Sequence, residues 1–187
     1  MEILDILILG SGPAALCLAS ELAKQNLNIK GISTKSPYEK WENTYGIWAS
    51  ELEEFGLASL LSHRWSKTVS YFGDGIKDKG NSPTKHYYDY GLINQEAFQN
   101  ELLKTCKGIQ WLNETAKLIK SENKISEVIC SSGLKLKARL VIDASGHKSK
   151  FIKRPFLKEV AQQAAYGIVG KFSTPPVKKD QFVLMDF

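Results

Sequence analysis

The chain has 187 residues, 43% of them hydrophobic and 24% charged, and it carries a formal net charge of +5. These values are ordinary for a soluble globular protein of one or two small domains with a real hydrophobic core. No window approaches the run of about 18 apolar residues that a membrane span needs, so a transmembrane helix is excluded. The charge is modest and no recognition motif accompanies it, which argues against a nucleic-acid partner.

The spacing of cysteines and histidines indicates no metal site. Cys17, Cys106 and Cys130 lie far apart, and the three histidines are scattered. Neither set has metal-ligand spacing, so we expect no bound metal. Because the chain enters an apolar strand at once, it leaves no room for a signal or transit peptide, and we expect a cytoplasmic protein.

The first predicted element is an apolar run from Ile3 to Leu9, which is typical of a buried parallel strand. A glycine-rich loop follows without a spacer and leads into a helix-like run. Such a unit binds a dinucleotide, because the glycines allow a tight turn and close approach while free N–H groups at the helix start face the phosphates. The predicted cofactor-binding residues of this loop are Gly10, Gly12, Pro13, Ala14 and Ala15.

The second strand of the unit, predicted over 27–32, ends without the carboxylate that usually holds a ribose hydroxyl. Ser33 and Thr34 occupy that place, and a hydroxyl side chain can accept or donate one hydrogen bond to ribose. Lys35 offers a second interpretation, a site for a 2′-phosphate, but solvated lysines are common. We therefore predict that Ser33 and Thr34 bind the cofactor.

The middle of the chain alternates between helical and extended patterns after an irregular link over 36–48. Asn94 is predicted to cap a helix that ends near Gly108. The other predicted elements are a helix over 50–61 and strands over 68–72, 86–90, 109–118, 126–130, 134–137 and 140–143.

The last of these strands ends in Asp143, Ala144, Ser145 and Gly146. Small residues at this edge of a parallel sheet let a cofactor lie against the main chain, so we add Asp143, Ala144 and Gly146 to the cofactor site. Together with the N-terminal loop, this ending predicts an α/β fold of the FAD/NAD(P)-binding, Rossmann-like flavoprotein type, interleaved with an antiparallel substrate-domain sheet.

The interleaving divides the chain into two predicted domains. We assign 1–64 and 92–150 to the dinucleotide-binding domain, and 65–91 and 151–187 to a partial substrate domain. The strands expected in the last segment cover 163–172 and 181–186. A basic, partly aromatic stretch over 148–158 either lies on an anionic membrane surface or forms an exposed loop with core anchors, so peripheral membrane contact is one option.

Two segments carry a specific family resemblance. Residues 41–48 read Trp-Glu-Asn-Thr-Tyr-Gly-Ile-Trp, and residues 182–186 read Phe-Val-Leu-Met-Asp. The first is close to the Trp-Pro-Asn-Thr-Tyr-Gly-Val-Trp motif of the lycopene cyclases of the plant and cyanobacterial flavoprotein type, which the chain resembles along its whole length. The glycine loop and the Asp-Ala-Ser-Gly turn are shared with many flavoproteins and are less specific.

The resemblance implies an enzyme of carotenoid biosynthesis, an isomerase or intramolecular lyase. Its reaction would close rings on lycopene or a related linear carotene, starting from a protonated double bond and ending with loss of a proton. The site of that loss decides between β and ε ionone rings, and no net electrons are transferred. Reduced FAD is the implied cofactor, with NADPH or NADH as its reductant.

The resemblance also implies roles for side chains in and near the specific segments. We predict that the flavin and substrate are lined by Trp41, Asn43, Tyr45, Gly46 and Trp48, since aromatic faces stabilise a cation in an apolar pocket. Core packing is the alternative role of the aromatic residues. Glu42 and Asp186 are the carboxylates expected to handle protons. A general acid needs a raised pKa, so a structural role for the two carboxylates is the alternative.

The chain departs from the family pattern in two places. The β-type sequence Tyr-Gly-Arg-Val-Asn-Arg reads Tyr-Gly-Leu-Ile-Asn-Gln at 90–95, a form closer to the ε-type or dual-product branch. The acidic Phe-Leu-Glu-Glu-Thr motif has no counterpart, so we expect the main catalytic acid to lie beyond residue 187. We therefore expect the chain to be an N-terminal fragment with weak flavin binding and no turnover of its own.

Two other functions stay open at this stage. An FAD-dependent monooxygenase or prenyl reductase would share the glycine loop and the last turn, but it would not account for residues 41–48. A non-catalytic nucleotide-binding fragment is the second alternative.

Overall fold

The computed structural model describes residues 2–73, 76, 80–146, 149–153, 172–174, 177–178 and 180–186. In chain order the strands and helices are β1 (Ile3–Leu9), α1 (Pro13–Leu22), β2 (Ile29–Ser33), β3 (Gly46–Trp48), α2 (Ala49–Glu54), β4 (Leu61–Trp65), β5 (Lys67–Tyr71), β6 (Thr84–Lys85), β7 (Tyr90–Ile93), α3 (Gln95–Thr105), β8 (Gln110–Asn113), β9 (Ala116–Glu122), β10 (Ile125–Cys130), β11 (Lys135–Asp143) and β12 (Gln181–Asp186).

The chain groups into two compact units. The first comprises Met1–Trp41 and Gln99–Ala161, and the second comprises Glu42–Phe98 and Gln162–Phe187. Residues 42–64 thus group with the second unit. The domain assignment made from the sequence stays a prediction, because such grouping does not say which segments bind which ligand.

The first unit is built on a six-stranded sheet in the order β8-β2-β1-β11-β10-β9. The strands β8, β2, β1 and β11 run parallel, whereas β9 and β10 add an antiparallel meander. The strands predicted over 134–137 and 140–143 form one strand, β11. It pairs with β10 over 135–138 and with β1 over 137–143, up to the pair Leu9↔Asp143, and no turn residue interrupts it.

Helix α1 covers one side of this sheet through Ala15 and Ala19, which are fully buried among β1, β2 and Cys106. Leu16 and Ser20 of this helix are buried as well. Ser20 tolerates burial since its hydroxyl donates to the Cys17 carbonyl oxygen at 2.8 Å. Burial likewise raises the pKa of the Cys106 thiol to about 11.

The second unit contains two three-stranded sheets, in the orders β3-β7-β4 and β12-β5-β6. The helix predicted over 50–61 is shorter than expected, since α2 ends at Glu54, Gly56 has φ +69°, and a 3₁₀ turn follows over Ala58–Leu60. The predicted cap is confirmed, with the Ala97 N–H donating to Asn94 Oδ1 at 3.1 Å.

The last predicted strands have different outcomes. Strand β12 matches the prediction over 181–186 and runs parallel to β5. The strand predicted over 163–172 and most of the basic stretch over 148–158 lie outside the described residues. Within the described part of the chain, no helix has the length and apolar character to cross a membrane.

Candidate functional site

A cavity of about 560 Å³ opens at the carboxyl edge of the parallel strands in the first unit. Its walls come from the loop after β1, the end of β2, the β8–β9 loop and the turn after β11. Such an edge is where open α/β sheets bind their ligands, and the volume lies within the usual range for small-molecule sites.

Gly10 joins two walls of this cavity. Its φ is +105°, and a Cβ built there would lie 2.5 Å from the Ala144 carbonyl oxygen. Both the conformation and the space therefore require glycine. The Gly10 N–H donates to the Ile32 carbonyl oxygen at 2.8 Å, so this residue also holds the loop against the end of β2.

Gly12 keeps the mouth of the cavity open. Its backbone is extended, and a Cβ built there would meet no atom within 4 Å, so any side chain would extend into the space at the cavity wall. Gly12 is followed by α1, which begins at Pro13 and has no side-chain cap among the described residues. The Ala14 N–H lacks a preceding helical carbonyl, and because Ala14 lines the cavity, this N–H remains available to an anionic group.

The end of β2 forms a hydrogen-bonded ring with the glycine loop. The Ser11 hydroxyl donates to the Lys35 carbonyl oxygen at 2.9 Å and also contacts the Ser33 hydroxyl at 2.9 Å. The Lys35 N–H in turn donates to Ser33 Oγ at 3.3 Å. This ring holds the two walls together at the position where the nucleotide fingerprint usually has an acidic side chain.

The turn after β11 is organised by Asp143. Its carboxylate accepts hydrogen bonds from the Ser145 N–H at 3.0 Å, from the Ser145 hydroxyl at 2.5 Å, and from the Ser149 hydroxyl. The carboxylate thereby shapes the cavity wall that contains Ala144 and Gly146, without lining the cavity itself.

The structure brings most predicted cofactor residues together in this one place. The residues that line the cavity are Gly10, Gly12, Pro13, Ala14, Ser33, Thr34, Ala144 and Gly146. Ala15 does not line it, because it is fully buried on the side of α1 that packs against the sheet. Cofactor binding by this set remains a prediction, and the described residues include no group of three His, Cys, Asp or Glu side chains placed for a metal.

Sequence reasoning missed several residues of this site. Ser11 stands inside the predicted loop, so its hydroxyl was a signal that could have been used. Glu114, Thr115 and Ala116 follow β8 in a segment without any motif, and only the parallel pairing of β8 with β2 brings them to the cavity.

A row of aromatic side chains distinguishes the second unit. In the sheet β3-β7-β4, Tyr90 is paired directly with Trp48 on one side and with Trp65 on the other. Phe182 of β12 stacks on Tyr90, with ring centroids 4.5 Å apart and planes 9° apart, and it also lies 4.9 Å from the Trp65 ring. We call these four half-buried residues the aromatic row.

Gly46 makes room for the centre of this row. A Cβ at Gly46 would lie 2.2 Å from the Tyr90 hydroxyl oxygen. The glycine that the sequence analysis placed at the flavin or substrate therefore has a packing reason in the structure. Trp48, predicted for the same lining, contacts Tyr90 edge-on at 5.5 Å and the His86 ring at 5.8 Å.

The other predicted residues lie in varied surroundings. Trp41 is buried in the first unit, whereas Tyr45 is half-buried in the second, where its carbonyl oxygen accepts from the Ile93 N–H. Asn43 and Glu42 are exposed. Asp186 is exposed as well, and its carboxylate accepts a hydrogen bond from the Ile76 N–H at 2.7 Å.

Comparison with known sequences gives a consistent result. A sequence model of the family described as "Lycopene cyclase protein" matches residues 5–187. The chain is 46% identical to the lycopene beta cyclase of Synechococcus elongatus over 185 residues, which are 98% of this chain and 43% of that protein. It is 30% identical to the chloroplastic lycopene beta cyclase of Arabidopsis thaliana over 188 residues, covering 100% of this chain and 36% of that protein. The chain thus spans less than half the length of either relative.

Comparison with solved structures identifies the fold. The structure of pqsL, a probable FAD-dependent monooxygenase from Pseudomonas aeruginosa, is similar with a TM-score of 0.58 and 18% sequence identity. The similarity covers 88% of this chain and 48% of that one. The predicted flavoprotein fold class is therefore confirmed, and at this identity the likeness carries the fold alone.

Proposed function

We propose that this chain, which belongs to the lycopene cyclase family, acts in carotenoid biosynthesis by taking part in the cyclisation of lycopene. The observation that carries this proposal is the family match over 5–187, which includes every wall of the cavity and the whole aromatic row. Both relatives are named lycopene beta cyclases, and we propose the same reaction for the protein to which this chain belongs.

The cavity of the first unit is the proposed site for FAD. The fit follows from three features: Gly12 leaves the mouth open, the start of α1 offers the uncapped N–H of Ala14, and Ala144 adds only a methyl side chain to the wall. Bound in reduced form, with NADPH or NADH as the proposed reductant, FAD supplies an electron-rich surface for a reaction without net electron transfer.

The aromatic row is the proposed surface for the reacting end of the carotene. Protonation of a terminal double bond leaves a tertiary carbocation, a neighbouring double bond attacks it, and loss of a ring proton gives a β or an ε ring. Faces of Trp48, Tyr90 and Trp65 would each stabilise such a cation by about 0.5–2 kcal/mol. Tyr45 and Asn43 remain proposed neighbours of this surface, and Trp41 remains a proposed flavin or substrate contact.

Proton handling and location complete the proposal. Glu42 and Asp186 remain the candidates in this chain for moving protons, and their exposure gives both direct exchange with water. The carotene is an apolar hydrocarbon, so we propose a cytoplasmic protein that contacts the membrane surface peripherally. We leave the choice between β and ε rings to the product analysis below.

The test is pigment analysis in bacteria that accumulate lycopene. A chimera in which this chain replaces the matching segment of the Synechococcus elongatus relative is expressed beside the intact relative and beside this chain alone. We expect the chimera to convert lycopene into a carotene with β or ε rings, resolved by liquid chromatography. Unchanged lycopene with a chimera that is folded and as abundant as the relative contradicts the proposal.

The role of the aromatic row is tested in the same chimera. Trp48→Leu removes a ring that contacts Tyr90 and is expected to lower product yield roughly tenfold, as the loss of about 1.4 kcal/mol of cation stabilisation predicts. Phe55→Leu is the matched control, because Phe55 is 76% exposed and lies outside the row. Equal yields from the two variants would argue against the row.

A redox function on the same fold is the competing proposal. It is distinguished by stoichiometry, because a monooxygenase or a prenyl reductase consumes one reducing equivalent pair for each product formed. We expect NAD(P)H consumption that does not scale with the amount of cyclised carotene. Scaling of the two would replace the cyclase proposal.

A further inference from the structure

We infer that the hydrogen-bonded ring of Ser11, Ser33 and Lys35 is a neutral receptor for the adenosine ribose, in which Ser33 accepts the proton of the 2′-hydroxyl. The inference rests on the proposed binding of a dinucleotide in the cavity of the first unit. It assigns the task of the missing fingerprint carboxylate to a hydroxyl whose direction is set by its neighbours.

The direction follows from counting protons in the ring. A serine hydroxyl has one proton, and a backbone carbonyl oxygen can only accept. The Ser11 hydroxyl therefore donates its one proton to the Lys35 carbonyl oxygen, at 2.9 Å. The 2.9 Å contact between the two hydroxyls must then use the proton of Ser33. The Lys35 N–H closes the ring by donating to Ser33 Oγ at 3.3 Å.

This arrangement leaves Ser33 with one free lone pair and no free proton. Ser33 lines the cavity and is half-buried, whereas Ser11 behind it is only 9% exposed. A ligand hydroxyl that reaches Ser33 must therefore act as the donor, as it would toward a carboxylate. An aspartate or glutamate would bring a negative charge to the same place, and Ser33 does not.

The absence of a carboxylate at this position changes the electrostatics of the site. An acidic side chain at the end of β2 would repel a phosphate at the ribose 2′ position, whereas the end of β2 has two hydroxyls there. The charged residues nearest to them in the same cavity are one of each sign, Lys35 and Glu114. The ring thus reads the ribose by hydrogen-bond direction, which requires both Ser11 and Ser33.

The test compares two ligands across the wild type and its variants. ADP and 2′-deoxy-ADP are each titrated calorimetrically into the purified chain, and the ratio of their affinities is measured. The wild type is expected to bind ADP roughly five- to tenfold more tightly than 2′-deoxy-ADP, the value of one hydrogen bond. In Ser33→Ala the two ligands should bind equally. In Ser11→Ala the preference should fall at least by half, because Ser33 regains a mobile proton.

Controls separate this role from a purely structural one. Each variant is compared with itself across the two ligands, so a general loss of stability leaves the ratio unchanged. Ser36→Ala removes a hydroxyl close in sequence that does not line this cavity, and it should keep the wild-type preference. A preference that persists in Ser33→Ala, or that follows 3′-deoxy-ADP instead, overturns the inference.

The outcome is also distinct from that of the proposed function. Failure of ADP to bind any variant, including the wild type, overturns both the receptor and the proposed FAD site. A normal preference for ADP together with an inactive chimera overturns the cyclase proposal and leaves the ribose receptor intact.

Discussion

The cavity of the first unit and the aromatic row of the second are built in opposite ways. In the cavity, the loop after β1 and the turn after β11 present small residues, among them Gly10, Gly12 and Ala144. The aromatic row is formed by large side chains that strand pairing places side by side. The cavity depends on the space that small side chains leave open, whereas the aromatic row depends on the contacts that large rings make. Substitutions should therefore harm the two regions for different reasons.

The largest effect is expected at the mouth of the cavity. Gly12→Val should weaken ADP binding by at least about 100-fold, or about 2.7 kcal/mol, because the added side chain extends into the space that a diphosphate would occupy. Isothermal titration calorimetry gives the affinity. The thermal midpoint should stay near that of the wild type, since the backbone there is extended and no atom lies within 4 Å. Unchanged affinity would contradict the proposed diphosphate site.

Gly10→Ala should affect folding rather than binding. The substitution places a Cβ 2.5 Å from the Ala144 carbonyl oxygen at a φ of +105°, and we expect the free energy of unfolding to fall by roughly 2–4 kcal/mol. Urea denaturation followed by circular dichroism measures the change. A loss below about 0.5 kcal/mol would mean that the two loops do not approach this closely.

The core under α1 should respond to alkaline pH. The pKa of Cys106 is raised to about 11 by burial, above the ordinary value of 9.0, so the unfolded thiol loses its proton first. The protonated thiol therefore makes its full contribution to the free energy of unfolding below pH 9, and this contribution of roughly 2–3 kcal/mol should be lost between pH 9 and pH 11. Cys106→Ala, compared across the same range by urea denaturation, should lack this component. Identical slopes for both proteins would refute it.

In the second unit, Gly46→Ala should displace the Tyr90 ring. The new Cβ would lie 2.2 Å from the Tyr90 hydroxyl oxygen, and overpacking of this kind costs roughly 1–3 kcal/mol. Tyr90→Ala removes the clash, so the double variant should be less than additive in urea denaturation. Near-ultraviolet circular dichroism should report the loss of the Tyr90–Phe182 stack. If the losses of unfolding free energy of the two single variants simply add in the double variant, Gly46 does not act through Tyr90.

The smallest effects are expected from two buried hydroxyls on β5. Ser70 Oγ is bonded to His86 Nε2 at 2.8 Å, whereas Thr68 Oγ1 has no hydrogen-bond partner within the described part of the chain. Ser70→Ala should cost about 1 kcal/mol of unfolding free energy, and Thr68→Val should be neutral within about 0.5 kcal/mol or stabilising. Equal costs would show that the hydrogen bond to His86 contributes nothing.

The same contrast explains what sequence reasoning could reach. The glycine loop, its flanking strand and helix, and the Asn94 cap depend on neighbours within a few residues, so local patterns predict them. The aromatic row depends on the register of β3, β4, β7 and β12, and no local pattern specifies which residues of separate strands face each other. Trp48 was therefore predicted from a motif, while Tyr90, Trp65 and Phe182 were missed.

Two smaller differences have the same origin. The two predicted strands join into β11 because β10 pairs with its first residues and β1 with its later ones, and β1 lies over a hundred positions away in the chain. Burial of Ser20 depends on a hydrogen bond within the helix that offsets its polarity, so its residue type alone does not indicate that it is buried.

The pairing of β1 with β11 sets an order of events during synthesis. Ile3 is matched with Lys137, so β1 is synthesised more than a hundred residues before the strand with which it pairs. At about 5–20 residues per second, that interval lasts roughly 7–27 s. During it, the apolar edge of β1 is open to any passing strand, and the ligand cavity has no far wall. A nascent chain of this protein thus needs shielding on that edge long before it can take up a cofactor.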